Sequence, residues 1–170
     1  MAHPPRAVPP AHRSRHEAHI ITARALLALL PRTAHVEVDT LRDFVPALPL
    51  PEAIPIALES AIAVTRILVR HGCHVVLTYP LGTDDHRALV AALADLAAPI
   101  YTVTLGPPLA VALRDRGARR LSDHERARIR VQYADERHRP PFGHYIDNAA
   151  LTPEATAAAI LALIGPTTSN

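Results

Sequence analysis

Glu52-Ala-Ile-Pro-Ile-Ala-Leu-Glu-Ser-Ala-Ile-Ala-Val-Thr-Arg-Ile-Leu-Val-Arg70, followed by His71-Gly72-Cys73 and then His74-Val-Val-Leu-Thr-Tyr79, decides the fold. The first part reads as a long, nearly uncharged helix. Pro55 is tolerated because it falls within the first turn. Glu59 is the helix's one acid past that turn and reads as solvated. His71-Gly72 stops the helix, since glycine takes the left-handed conformation that a helix end requires. His74 to Tyr79 is a continuous apolar run, which suits a strand buried on both faces of a parallel sheet. Cys73, the single cysteine, opens that run and reads as a buried structural thiol.

The chain on either side repeats this alternation. Upstream, residues 17 to 30 read as helix, with Ile20, Ala23, Leu27 and Leu30 on one stripe and Pro31 as the stop. Ala34 to Val38 is a strand candidate. Asp39-Thr-Leu-Arg42 opens a short helix towards Val45, and Pro46, Pro49 and Pro51 mark a loop. Downstream, Thr83 caps a helix from Asp84 to Leu96, and Ile100 to Leu105 reads as strand. Pro107-Pro108 opens a helix leading to Arg116. Ser122 with Glu125 makes a capping box for an arginine-rich helix. Leu121, Ile129 and Tyr133 lie near one face of that helix. Gly143 to Ile146 is a last short strand. Thr152-Pro153-Glu154 starts a final helix that ends at Gly165.

The expected class is therefore α/β, a three-layer arrangement with a mainly parallel sheet flanked by helices and right-handed crossovers. Residues 1–16 form a Pro-, His- and Arg-rich arm, 17–165 a single domain, and 166–170 a tail.

Composition narrows the function. All 18 cationic residues are arginine, and nine of them lie between Arg114 and Arg139. Net charge is only +2 and tryptophan is absent, so neither a general nucleic-acid binder nor an aromatic stacking platform is expected. No apolar run reaches membrane-spanning length. No secretory leader is legible either, so a cytoplasmic protein is the default. The histidines His3, His12, His16 and His19 lack Cys or carboxylate partners at ligand spacing, so no metal site is expected.

From about Ala23 to Ile164 the chain resembles the P-loop kinases of small molecules, the group of shikimate kinase, adenylyl-sulfate kinase and chloramphenicol phosphotransferase. Ala23-Arg-Ala-Leu-Leu-Ala-Leu-Leu-Pro31 looks like the helix after a P-loop. His35-Val-Glu-Val-Asp-Thr-Leu-Arg42 looks like the second strand with its Asp-x-x-Arg substrate motif. His74 to Pro80 looks like the strand that carries the Walker B acid. Tyr101 to Pro108 with the arginine segment looks like the fourth strand and lid, at about 114–139. Phe142 to Asn148 looks like the fifth strand. The resemblance implies Asp39 as the residue that orients or deprotonates an accepting hydroxyl, and Arg42 as an anion contact. It also implies Arg119, Arg120 and Arg126 as lid arginines, and Tyr79 as a pocket residue. His19 falls near the place of the P-loop lysine, as a possible acid–base group or anion contact. Each has a plainer reading: Asp39 as the cap of the helix from Thr40 to Val45, Arg42 as a partner of Asp43 or Glu37, the lid arginines as surface partners of Asp123 and Glu125, and Tyr79 as a core or rim residue.

The departures are as informative as the matches. A Walker A loop cradles phosphate on backbone N–H groups, using glycine, and adds a lysine. The chain just before Ala23 reads Arg13-Ser-Arg-His-Glu-Ala-His-Ile-Ile-Thr22; the first glycine is Gly72 and no lysine exists. Thr78 stands where the Walker B acid is expected. The first strand, central in this fold, would have to come from Arg6-Ala-Val-Pro-Pro10, whose prolines suit a central strand poorly. The expected sheet is thus one strand short or differently closed. ATP and Mg²⁺ are accordingly disfavoured as cofactors. Three functions stay open: a kinase-derived enzyme acting on a small anionic or hydroxylated metabolite by elimination, isomerisation or hydrolysis; a phosphotransferase with a non-standard phosphate site; and a non-catalytic metabolite- or protein-binding relative. Oligomeric state is not legible.

Overall fold

The computed structural model describes residues 13–114, 120–134 and 139–165, with the side chains of residues 13–18 and of residue 132 left aside. Residues 1–12 of the expected arm, residues 115–119 and 135–138 of the arginine segment, and the tail 166–170 lie outside the described residues. The element order is α1 (Arg13–Leu29), β1 (Thr33–Glu37), α2 (Val38–Leu41), α3 (Leu50–Arg70), β2 (His74–Thr78), α4 (Thr83–Leu93), β3 (Val103–Leu105), α5 (Leu109–Ala112), α6 (Asp123–Ala134), β4 (His144–Ile146) and α7 (Pro153–Ile164). Short 3₁₀ turns follow α2 at Arg42–Phe44 and α4 at Ala94–Leu96. The class is α/β, with short parallel sheets flanked by helices.

The β1–α3–β2 unit forms as its sequence dictates. β1 and β2 pair in parallel, with Thr33 opposite His74 and Glu37 opposite Thr78. α3 crosses between them and buries Ala53, Ala57, Ala61 and Thr65 on one face. Small residues there let the helix approach the sheet closely, and Val36 and Val38 fill the contact with Leu58, Leu68, Leu77 and Tyr79 packed around them. Gly72 ends α3 at φ +73°. Arg32 adds a clasp that the sequence did not announce. Its Nη2 donates to the His71 carbonyl at 2.7 Å and its Nε to the Gly72 carbonyl at 3.2 Å. These are the carbonyls of the C-cap and of the residue after it, met by a cation from the turn before β1 near the negative end of the helix dipole.

The second half is built from β3 and β4, also parallel, with Val103 opposite His144 and Leu105 opposite Ile146. The hydroxyls of Tyr133 and Tyr145 donate to the carbonyls of Pro107 and Gly106, fastening α6 and β4 to the segment after β3. Two of the three expected N-caps form. Ser122 Oγ accepts from Glu125 N at 3.2 Å while Glu125 Oε2 accepts from Ser122 N at 2.8 Å. Thr152 Oγ1 accepts from Ala155 N at 3.1 Å.

Several expectations are corrected. α1 begins at Arg13, four residues earlier than the pattern suggested. Thr83 is the first helical residue of α4 and the N-cap is Gly82, without a side-chain cap bond. β2 is half-buried along its whole length, not fully buried, and Cys73 is likewise half-buried. The reason lies in the sheet. Among the described residues no strand pairs with the second edge of β2, and the strands form two separate pairs, β1–β2 and β3–β4. The candidate for the expected central strand, Arg6 to Pro10, lies outside the described residues. The helices α1 and α7 bridge the two pairs: Leu26, Ala157 and Ile160 form a buried cluster that touches Val76 of β2, Val103 and Leu105 of β3, and Ile146 of β4.

Candidate functional site

The carboxyl ends of parallel strands are where open α/β sheets place their ligands. At the end of β1 the chain turns directly into α2, with the Thr40 hydroxyl donating to the Glu37 carbonyl at 2.7 Å. This tight turn sets Asp39 in the first turn of α2 and Arg42 one turn later. The two meet at 2.8 Å, with side chains only 12% and 21% exposed. Asp39 is not the helix cap, which is Glu37; its carboxylate holds Arg42, for which the sequence offered Asp43 or Glu37. The Nε of Arg42 is buried and has no hydrogen-bond partner among the described residues.

Tyr79 follows β2 and packs against the Val36–Val38 cluster. Burial pushes its hydroxyl above the ordinary tyrosine range; the charges of Asp39 and Asp85 add to the rise and that of Arg42 opposes it. The structure thus brings Asp39, Arg42 and Tyr79 to one end of the β1–β2 pair. His19 lies half-buried on α1.

Thr78, in the place where the resemblance expects a carboxylate, is bonded to His35: the hydroxyl and Nε2 lie 2.8 Å apart. Burial holds the His35 imidazole below its ordinary value, with Glu37 pulling it up and Arg24 pushing it down. This pair was not found from the sequence. His35 is opposite Val76, so it meets Thr78 only diagonally, and register is not written in a single chain.

The arginine segment belongs to the β3–β4 half. Arg119 lies outside the described residues. Arg120 is exposed. Arg126 donates from Nη1 to the Leu113 carbonyl at 2.6 Å, linking α6 to the end of α5. Arg139 stands over the Tyr145 ring at 5.0 Å. In the same half, His86 stacks on Phe142 at 3.9 Å and bonds Thr102 Oγ1 at 3.0 Å. A shallow groove of about 440 Å³ runs beside this stack, bounded by Thr83, Arg87, Val90 and Pro141.

The segment Arg13–Thr22 is helical throughout, as the first part of α1. A phosphate nest needs successive N–H groups turned towards one anion. Beyond the first turn of a helix those groups are engaged with carbonyls four residues back. Together with the absence of lysine and the neutral Thr78–His35 pair, these residues do not fit ATP and Mg²⁺ in the manner of a Walker site.

No protein-family model matches the chain, and no curated protein matches it. Among solved structures, the tunicamycin resistance protein of Deinococcus radiodurans is similar, with a TM-score of 0.62 at 21% identity over 88% of this chain and 90% of that one. The two chains share an α/β fold. At that identity the likeness is one of architecture. Among the described residues, no helix is long and apolar enough to cross a membrane.

Proposed function

We propose that this chain is a kinase-derived enzyme that acts on a small anionic or hydroxylated metabolite without ordinary ATP–Mg²⁺ phosphoryl transfer. The observation that carries the reading is the helical path of Arg13–Thr22, over the segment where a phosphate loop would be needed. The shielded Asp39–Arg42 pair supports a substrate end that outlived the phosphate end. In this reading Asp39 orients or deprotonates a substrate hydroxyl, and Arg42 exchanges part of its hold on Asp39 for a substrate anion. Tyr79, held protonated by its surroundings, lines the site as a donor. Arg119, Arg120 and Arg126 supply positive charge to the anion, and His19 is a further acid–base group or anion contact.

The test is calorimetric titration of the full chain with ATP, with and without Mg²⁺, followed by a thermal-shift screen of anionic and hydroxylated metabolites. No heat is expected at millimolar ATP. A ligand present at about 100 times its Kd adds about 2.7 kcal/mol of stability, a rise of roughly 5 to 10 °C for a chain of this size. That rise should disappear in Asp39→Ala, and turnover of the stabilising metabolite should stop. Tight Mg²⁺-dependent ATP binding would overturn the reading in favour of a phosphotransferase. Full activity in Asp39→Ala would remove the role given to Asp39.

A further inference from the structure

α3 is 21 residues long, which is about 30 Å. It buries one face, Ala53, Ala57, Ala61 and Thr65, against the β1–β2 pair. Arg66 binds Asp95 through both guanidinium nitrogens at 2.6 Å and also donates to the Ala92 carbonyl at 2.7 Å. These contacts tie α3 to α4 and the turn after it. What remains is a third flank that an ordinary surface helix would make polar. It is apolar here. Ile56 is 41% exposed, Val64 38% and Ile67 50%. Ser60, half-buried, and Ala63, exposed, lie between them.

The order is not scattered. Positions 56, 60, 63 and 67 step by four, three and four residues, the spacing of a helix-pairing seam. The large side chains stand at its two ends and the small ones at its middle, so a second helix can approach closely at the centre. Contiguous apolar surface of this kind on a folded chain marks an interaction face.

Charge along the same flank selects the partner. Glu52 lies near the amino end of α3 and Arg70 at its carboxyl end, both exposed. Neither forms an ion pair within 4 Å among the described residues, although Arg70 lies near enough to Asp95 to add to the pull of Arg66 on its carboxyl. A parallel pairing of two such helices would set Glu52 beside Glu52 and Arg70 beside Arg70. An antiparallel pairing about a two-fold axis between residues 61 and 62 does the opposite. Ile56 then meets the partner's Ile67, and Ser60 meets the partner's Ala63. Glu52 falls within about 1.5 Å, along the axis, of the level of the partner's Arg70. Because the axis is a two-fold, each of these contacts occurs twice. The flank is therefore complementary to itself, which is what a closed symmetric interface demands.

We infer that the flank of α3 carrying Ile56, Ser60, Ala63 and Ile67 is a dimer interface, and that its occupant is the antiparallel α3 of a second copy of this chain. One helix pair is at the small end of specific interfaces, so the association is of micromolar strength.

Light scattering and sedimentation equilibrium of the full chain test this. At concentrations well above micromolar, the wild-type protein should have twice its chain mass of 18.4 kDa. Ile56→Glu with Ile67→Glu should give a monomer whose circular dichroism and melting match the wild type. Glu52→Arg alone and Arg70→Glu alone should each weaken the dimer about tenfold, by turning two attractions into two repulsions. Combining them should restore it. These two residues are exposed, so their variants fold even where the glutamate variants do not. A monomeric wild type would overturn the proposal. So would a dimer that survives both glutamates, since its interface would then lie elsewhere. Charge reversals that fail to weaken and rescue would refute the antiparallel arrangement.

Discussion

Consider replacing Gly143 with alanine. Gly143 leads into β4 at φ +70°. A Cβ there would stand 2.8 Å from Thr102 Cβ and 3.0 Å from the Thr102 carbonyl carbon, and closer still to its oxygen. That oxygen accepts the His144 N–H at 2.8 Å. The left-handed backbone alone costs an L residue about 1–2 kcal/mol. Relief of the collision requires β4 to draw away from Thr102, which sacrifices a backbone hydrogen bond worth about 1 kcal/mol. The total is about 2–3 kcal/mol, a fall in melting temperature of roughly 4 to 12 °C. Gly72→Ala is the control. Its φ is +73°, yet the nearest atom to a new Cβ is the guanidinium of Arg32 at 3.4 Å, an ordinary van der Waals contact. It should lose only the left-handed strain. Both changes remove the same glycine freedom from the unfolded chain, so that contribution cancels in the difference. Calorimetric melting of the two variants separates strain from collision. Equal melting temperatures would refute the argument that Thr102 is a rigid wall.

Acid should weaken the fold partly through His35. Its folded value is depressed, so the unfolded chain takes up the proton first as pH falls. The stability it carries is complete above about pH 6.5 and is lost as pH drops through the depressed folded value. The urea midpoint of wild type should therefore fall more between about pH 7.5 and about pH 5 than that of His35→Gln; parallel profiles would sink this assignment. Arg32→Met should cost about 1 kcal/mol, because water must replace the guanidinium at the His71 and Gly72 carbonyls that follow α3. A chemical denaturation curve checks this, and an unchanged midpoint would show the clasp to be idle.

Much of the fold was legible because local chemistry and tertiary need agreed. The helix Leu50–Arg70, its glycine stop, the strand after it, the Ser122–Glu125 box and the Thr152 cap all follow from side chains within a few residues. What was not legible depends on long range. Nothing near His35 announces Thr78, 43 residues on. Arg32 looks like a turn residue until the end of α3 is beside it. The apolar run of β2 promised full burial, but burial of a strand depends on neighbours that its own sequence does not contain. At the candidate site, the sequence offered Asp43 or Glu37 as the partner of Arg42, and its pairing with Asp39 emerged only once the turn after β1 had set both residues. The attachment of Arg126 to Leu113 needed the fold.

The divided sheet has a consequence for the order in which the protein is made. Residues 33 to 79 contain the Val36–Val38 cluster and the side chains packed on it. That unit can mature as soon as residue 79 has left the ribosome. The join between the two strand pairs cannot. Its buried cluster unites Leu26 with Ala157 and Ile160, and those residues are synthesised at opposite ends of the chain. Until the final helix emerges, Leu26 and Val76 have no permanent cover. The nascent chain must therefore keep an apolar surface waiting through most of translation, and the last helix closes it.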